Sequence, residues 1–375
     1  MLFFTPLYMT YPNFRKLAKK IHLWLGLITG AIVFVICITG SIYAFQKEIK
    51  QFIYPYYSVE NTNKEKLPLK KILEFYETQS ENKILQIREF TEPNRSIILR
   101  TTKDSTLFYS FINPYTGELL KEKNQSKDFF AIVLRIHRNL LLKKEIGRKI
   151  IGCSVIIFVI SLLTGIILWF PKNRKIKKIW KSKLTIKKTK NKKRVLYDLH
   201  NVLGFYSASF LLIIAITGLA WTFSWVDEAL YRIVTFEKKT PHSPPVITNA
   251  FLNYQSLDSA KQTINFKKNR HLTIYALPEK PTLPLKVSRY PNDDSYGSSD
   301  YFYFHPETGK LLKTELDINK KNGTKLRSLY YDIHTGSILG FWGKIIVFFT
   351  AIIGASLPIT GVLFWIKKNK KASKT

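Results

Sequence analysis

Two copies of one pattern fill this chain, and each copy begins and ends in an apolar stretch long enough to cross a bilayer. A span needs about 20 mostly apolar residues; residues 21–45, 146–170, 200–225 and 341–366 meet that length. The first opens with His22 in His-Leu-Trp-Leu-Gly and runs to Ile38-Thr39-Gly40. The third opens with His200 in His-Asn-Val-Leu-Gly and runs to Ile216-Thr217-Gly218, at the same spacing. His137 precedes the second span, which closes on Thr164-Gly165-Ile-Ile-Leu-Trp169. His334 precedes the fourth, which closes on Thr360-Gly361-Val-Leu-Phe-Trp365. An ionisable side chain at a span is costly unless it has a partner or a task. Four histidines in repeated positions at membrane boundaries therefore point to two metal or haem sites, one near each face.

The charge of +33 over 375 residues is unevenly placed, and its placement sets the expected orientation. Residues 171–194 hold 13 Lys/Arg and no acid, the tail after Trp365 holds five lysines, and Arg15, Lys16, Lys19 and Lys20 precede the first span. Such clusters stay on the cytoplasmic side of a membrane, so both termini are expected inside. Segments 46–135 and 226–333 carry 15 basic against 12 acidic and 16 against 12 residues, and are expected outside. Membrane orientation accounts for the basic run, and no base-stacking aromatic pattern accompanies it, so no nucleic-acid partner is expected. The first apolar stretch exceeds a signal-peptide core and no small-residue cleavage site follows it, which makes it a retained span. Cys37 and Cys153 both lie in spans, and no Cys-x-x-Cys-His pattern exists for covalent haem attachment.

The soluble segments repeat as well. Asn113-Pro114-Tyr115-Thr116-Gly117-Glu118-Leu119-Leu120 matches His305-Pro306-Glu307-Thr308-Gly309-Lys310-Leu311-Leu312. Proline fixes φ and glycine tolerates a left-handed residue, so each motif reads as a tight turn between strands. Alternating β-branched sequence predicts strands at 84–90, 96–102 and 107–112, and at 271–276, 283–290 and 301–305; short helices are expected at 69–79 and 257–266. Pro241, Pro244 and Pro245 make 240–245 a linker. The fold class expected is a four-helix transmembrane bundle with two extracytoplasmic α+β domains and an internal twofold repeat. In order, the parts are a cytoplasmic start (1–20), helix 1 (21–45), soluble domain 1 (46–135), a His-bearing segment with helix 2 (136–170), a basic cytoplasmic loop (171–196), helix 3 (197–225), soluble domain 2 (226–333), a His-bearing segment with helix 4 (334–366), and a cytoplasmic tail (367–375).

Each repeat has an even number of spans, so the two copies insert in the same orientation, related by an axis along the membrane normal. His22 and His137 then lie on opposite faces, separated by a hydrocarbon core of about 30 Å, and do not share one iron. His22 pairs with His200 at the cytoplasmic face, and His137 with His334 at the outer face. Neutral imidazoles from facing helices are good ligands for haem iron; two histidines per face without a nearby Cys or Glu cluster suit bis-histidine haem better than tetrahedral zinc. The other reading is that each histidine is interfacial and simply wetted. His137 stands nine residues before its span, on an expected helical extension. Gly26, Gly30, Gly40, Gly204 and Gly218 suit close approach of helices or of a flat macrocycle. The tryptophans near span ends read as interfacial anchors, and His305, in the place of Asn113, reads as a turn residue. No nucleotide, flavin or hydrolase motif occurs.

Taken together, His22-x-x-x-Gly26 leading into Ile-Thr-Gly-Ser-Ile-Tyr-Ala-Phe, the Asn/His-Pro-x-Thr-Gly turns, His137-Arg138-Asn139 with Gly147-Arg148, and His334-Thr335-Gly336 resemble the PepSY-associated transmembrane family, from about residue 14 to 368. That family includes iron-regulated membrane proteins and ferrisiderophore reductases. The resemblance implies a bacterial inner-membrane protein with two PepSY-like periplasmic domains. It also implies two b-type haems held by His22, His200, His137 and His334, and electron delivery to a ferric siderophore or other ferric chelate. Reduction to Fe(II) loosens a hard-oxygen chelate. Some relatives carry a fused flavoprotein reductase; residues 1–375 include none, so a cytoplasmic or quinol donor is expected. The contrasting readings are a non-catalytic PepSY module that binds a peptide, protease or partner protein, and a permease for the chelate. Four unbroken spans weigh against the permease. The acceptor is expected to dock in a cleft between the two soluble domains, by shape and aromatic contact more than by bulk charge.

Overall fold

The structure, a computed structural model, describes residues 11–60, 64–171, 177–238, 243–264 and 270–372. His242, Pro241, residues 172–176 of the basic loop and residues 265–266 of the second expected short helix lie outside them. In chain order the first half runs α1 (Tyr11–Ala44), α2 (Gln46–Ile53), α3 (Leu69–Gln79), β1 (Lys83–Phe90), β2 (Ile97–Lys103), β3 (Thr106–Ile112), β4 (Leu119–Asn124), α4 (Phe129–Asn139) and α5 (Lys144–Trp169). The second half runs α6 (Lys177–Leu184), α7 (Lys192–Asp198), α8 (Gly204–Thr222), α9 (Ser224–Thr235), α10 (Gln255–Ile264), β5 (Leu272–Ala276), β6 (Leu285–Tyr290), β7 (Asp300–Phe304), β8 (Leu311–Glu315), α11 (Asn322–Thr335) and α12 (Gly340–Ala372). The chain divides into two compact units: one holds residues 1–44, 133–224 and 342–375, the other 45–132 and 225–341.

The first unit holds four helical stretches long and apolar enough to cross a membrane: Asn13–Ala44, Lys144–Trp169, Lys192–Thr222 and Ser337–Lys367, the first five residues of the last lying in the second unit. Helix α1 starts well before the apolar run, because Arg15, Lys16, Lys19 and Lys20 are good helix formers and carry the helix on outside the apolar stretch. Arg15 earns that extension a role. Its guanidinium donates to the carbonyls of Ile167 (3.3 Å), Leu168 (2.9 Å) and Phe170 (2.7 Å), the free acceptors at the C-terminus of α5. Helices α7 and α8 form one continuous rod, interrupted by a π-helical turn at Leu199–Leu203. His137 is not on an extension of the second span. Helix α4 ends at Asn139, and Leu140 and Leu141 turn the chain with φ of 54° and 61° before α5 begins.

The second unit is one eight-stranded antiparallel sheet, ordered β4-β3-β2-β1-β5-β6-β7-β8. The expected strands form, and each half gains a fourth after its Pro-x-Thr-Gly turn. Gly117 and Gly309 take φ of 76° and 70° there, and their N–H groups donate to Asn113 and His305 carbonyls, both at 2.9 Å. Asn113 Oδ1 accepts from Tyr115 N at 2.9 Å, and His305 Nδ1 accepts from Glu307 N and Thr308 N at 3.4 Å. His305 is thus a turn residue. The two soluble segments do not fold apart with a cleft between them: β1 and β5 pair antiparallel from Gln86↔Ala276 to Phe90↔Leu272 and fuse both halves. Helices α3 and α10 cover one face. Leu69, Ile72, Leu73 and Tyr76 of α3 and Leu257, Ala260 and Ile264 of α10 pack on Ile87, Leu99, Val287 and Phe302; burying each large apolar side chain stabilises by about 1.5–3 kcal/mol. Asp258 of α10 caps α3 by accepting from Leu69 N (2.8 Å) and Lys70 N (3.1 Å), so the helical layer is tied across the two halves.

Candidate functional site

Three of the four singled-out histidines sit in the same kind of cradle, each built by an opposing Thr-Gly pair. Thr164 donates its hydroxyl to the Ile160 and Ser161 carbonyls of its own helix, both at 2.9 Å. Its oxygen lone pair is left facing His22, whose Nδ1 lies 3.3 Å away and 2.9 Å from the Ser161 carbonyl. Thr360 bonds back to Ser356 (2.9 Å) and Leu357 (3.0 Å), and its oxygen meets His200 Nδ1 at 2.9 Å. Thr39 bonds back to Val35 (2.7 Å), and His137 Nδ1 lies 2.9 Å from the Ile36 carbonyl and 3.3 Å from Thr39 Oγ1.

A carbonyl only accepts, and a threonine that has spent its proton on its own helix only accepts. Nδ1 is therefore the protonated nitrogen in each ring, and in His22 and His200 the lone pair is on Nε2. This is the arrangement by which a second layer of hydrogen bonds sets the tautomer and direction of a metal-binding imidazole. The glycines make the approach possible. A Cβ on Gly165 would stand 3.1 Å from His22 Cε1, one on Gly40 3.0 Å from His137 Cε1, and one on Gly361 3.5 Å from His200 Cε1.

The fold brings His22 and His200 together, on different spans, with ring centroids 6.1 Å apart and planes at 78°. These two imidazoles are the residues that would hold an iron porphyrin between the two spans, which would supply a one-electron couple. One turn along α1, a Cβ on Gly26 would meet no atom within 4 Å. Among the described residues no group of three or more His, Cys, Asp and Glu stands together as a metal site. The donor set is a pair of imidazoles, and it fits a bis-histidine haem.

His137 lies in the last turn of α4, and burial holds its imidazole below the usual histidine range, against the raising effect of the Ile36 hydrogen bond. The neutral form is the one that binds iron. His334 occupies the matching last turn of α11, which ends on the left-handed Gly336. His137 and His334 fall in different compact units. His271 is at the sheet surface, 3.6 Å from Glu92.

A family model described as the PepSY-associated TM region matches residues 19–368. The chain belongs to the PepSY-associated transmembrane family. No curated protein matches it. In this PepSY-associated protein the residues that the sequence alone did not mark are the ones behind the histidines. Thr39, Thr164 and Thr360 are visible in the sequence only as spacing marks; their work needs a partner helix to be seen. Asp198 is fully buried two residues before His200. Arg194 grips its carboxylate at 2.8 and 3.0 Å, and the Lys187 N–H donates to it at 3.2 Å. Lys183 donates to Asn201, inside the π-turn, at 3.3 Å. The basic loop is thereby tied to the turn that presents His200, a feature common at functional sites. Beside it Trp169 stacks on Phe205 at 3.6 Å and 7°.

Proposed function

We propose that this chain carries electrons across the bacterial inner membrane to a ferric chelate on the outer side. His22 and His200 would hold one haem b, and His137 and His334 a second. The observation that supports the reading best is the His22–His200 pair, with both Nδ1 positions anchored and both Nε2 positions free. Bound haem supplies a one-electron Fe(III)/Fe(II) couple. The chain's own part is to fix the imidazoles by Thr164 and Thr360, to keep water away with the packed spans, and to set the two levels apart. The matched Thr-Gly spacings support an internal duplication in which His334 takes the place of His137. The basic clusters support cytoplasmic termini and an outer sheet unit. Each electron delivered would reduce one chelated Fe(III) to Fe(II), which hard oxygen ligands hold less strongly. The donor would be a cytoplasmic reductase or a membrane quinol.

The test uses dithionite-reduced protein in sealed vesicles of known orientation, mixed with an impermeant ferric siderophore. Reoxidation is expected when the chelate has access to the sheet unit. Reoxidation only from the side of the termini would overturn the direction. Rapid reaction with another outer oxidant and none with ferric chelates would keep the carrier and discard the iron. Protein without reducible haem bands would favour a non-catalytic module that binds a peptide or protein.

A further inference from the structure

The sheet face opposite α3 and α10 concentrates cations that the segment totals conceal. One cross-strand row passes through all eight strands: Lys123, Tyr109, Arg100, Gln86, Ala276, Lys286, Tyr303 and Lys313 stand opposite one another in succession. Opposed residues share a face, so cation, tyrosine and cation recur on both sides of the β1–β5 seam. Arg88, diagonal to Arg100, reaches to 5.9 Å from the centre of the Tyr109 ring.

The two halves differ in how these charges are answered. In the β5–β8 half, Lys313 pairs with Glu315 at 2.6 Å and Lys320 with Asp317 at 3.4 Å. In the β1–β4 half, Lys50 and Lys123 share the single carboxylate of Asp128, at 3.0 and 3.4 Å. The next acid, Asp293, is already held by Lys47 and Arg95. Arg88 and Arg100 are half-buried, and the Nε of each is shielded from water without a hydrogen bond. Burial lowers the Lys50 pKa, and although Asp128 opposes this, Lys123 and Arg88 add to it. Among the described residues Arg88, Arg100 and Lys123 gather about Tyr109, and Lys50 joins them through Asp128, the carboxylate it shares with Lys123, so that cations outnumber the acids that answer them.

We propose that this half-face, centred on Tyr109 and bounded by Arg88, Arg100, Lys123 and Lys50, binds an anionic aromatic metal chelate of the catecholate class. That the ligand is a chelate rests on the reductase reading above; that it is anionic and aromatic rests on this face. Guanidinium groups donate in a planar fork to paired oxygens and stack on aromatic rings. Lys123 already lies over Tyr54 at 4.0 Å and Tyr56 at 5.7 Å, so flat rings and cations alternate as a catecholate complex requires.

Gallium(III) tris(catecholate), which cannot accept the electron, separates binding from reduction. Titrated into the full-length detergent-solubilised protein, it is expected to bind more tightly than an uncharged gallium(III) trihydroxamate and than inorganic phosphate. Arg88→Gln and Arg100→Gln should each weaken it by at least about tenfold, Arg100→Lys less, and Lys286→Gln, in the paired half, should leave it unchanged. An unaltered circular dichroism melt of each variant keeps a loss of binding attributable to the site. Equal binding of the three probes, or binding that Lys286→Gln weakens as much as Arg100→Gln does, would overturn the proposal. Absence of haem would instead sink the electron-transfer reading and leave the binding result standing.

Discussion

A histidine placed in an apolar helix has to be told which nitrogen to offer, and here a threonine does it. The Thr-Gly pair is economical: the hydroxyl is spent on its own helix, its lone pair takes the imidazole proton, and the missing side chain of the next residue admits the ring. Thr164→Val should remove the 3.3 Å contact of His22 Nδ1 and leave the 2.9 Å one to the Ser161 carbonyl, lowering haem affinity toward the small end of about 10–100-fold. Gly165→Leu should drive the ring out and resemble His22→Ala. Haem retained through purification, measured by pyridine haemochrome, checks both; a Gly165→Leu protein with full haem would mean that the cradle is only packing.

At the level of elements, the π-turn at Leu199–Leu203 is the departure from regular structure that stands nearest the chemistry. Asp198 holds its leading edge, buried and gripped by Arg194. Asp198→Ala takes the carboxylate from a guanidinium that is about a third exposed and still donates to Ser182, so water solvates it in part and the cost falls below the about 3–5 kcal/mol of a fully buried pair. The expected result is a lower melting temperature with loss of the His200-linked haem signal ahead of the other, followed in reduced-minus-oxidised spectra during the melt. Simultaneous loss of both signals would make Asp198 a general stability residue. None of this was legible in the sequence, because one added residue in a helical turn changes neither composition nor apolar period. The spans, the helix at 69–79, the alternating strands and the Pro-x-Thr-Gly turns were legible, since run length, period and turn chemistry are local properties. The turn at Leu140–Leu141, which separates α4 from the second span, was not: two leucines at positive φ carry no local signal.

Across the whole molecule, what local reading missed is long-range pairing. Strands β1 and β5 lie almost two hundred residues apart, and nothing in either alternation pattern announces that they meet, so two separate domains were the natural expectation and one continuous sheet is the result. In such a sheet the cross-strand register, not the segment total, decides which charges share a face. The proximity of the His22 and His200 rings, 6.1 Å apart, agrees with counting spans, since an even number per repeat puts those two at one level.

The claim that this pair holds one haem is tested most directly by haem stoichiometry in single and double variants. His22→Ala and His200→Ala should each remove one haem per chain, with the same absorption and redox signature missing from both, and the double variant should lose no more than either single one. Different signatures missing from the two single variants, or a double variant that loses both haems where each single loses one, would contradict it.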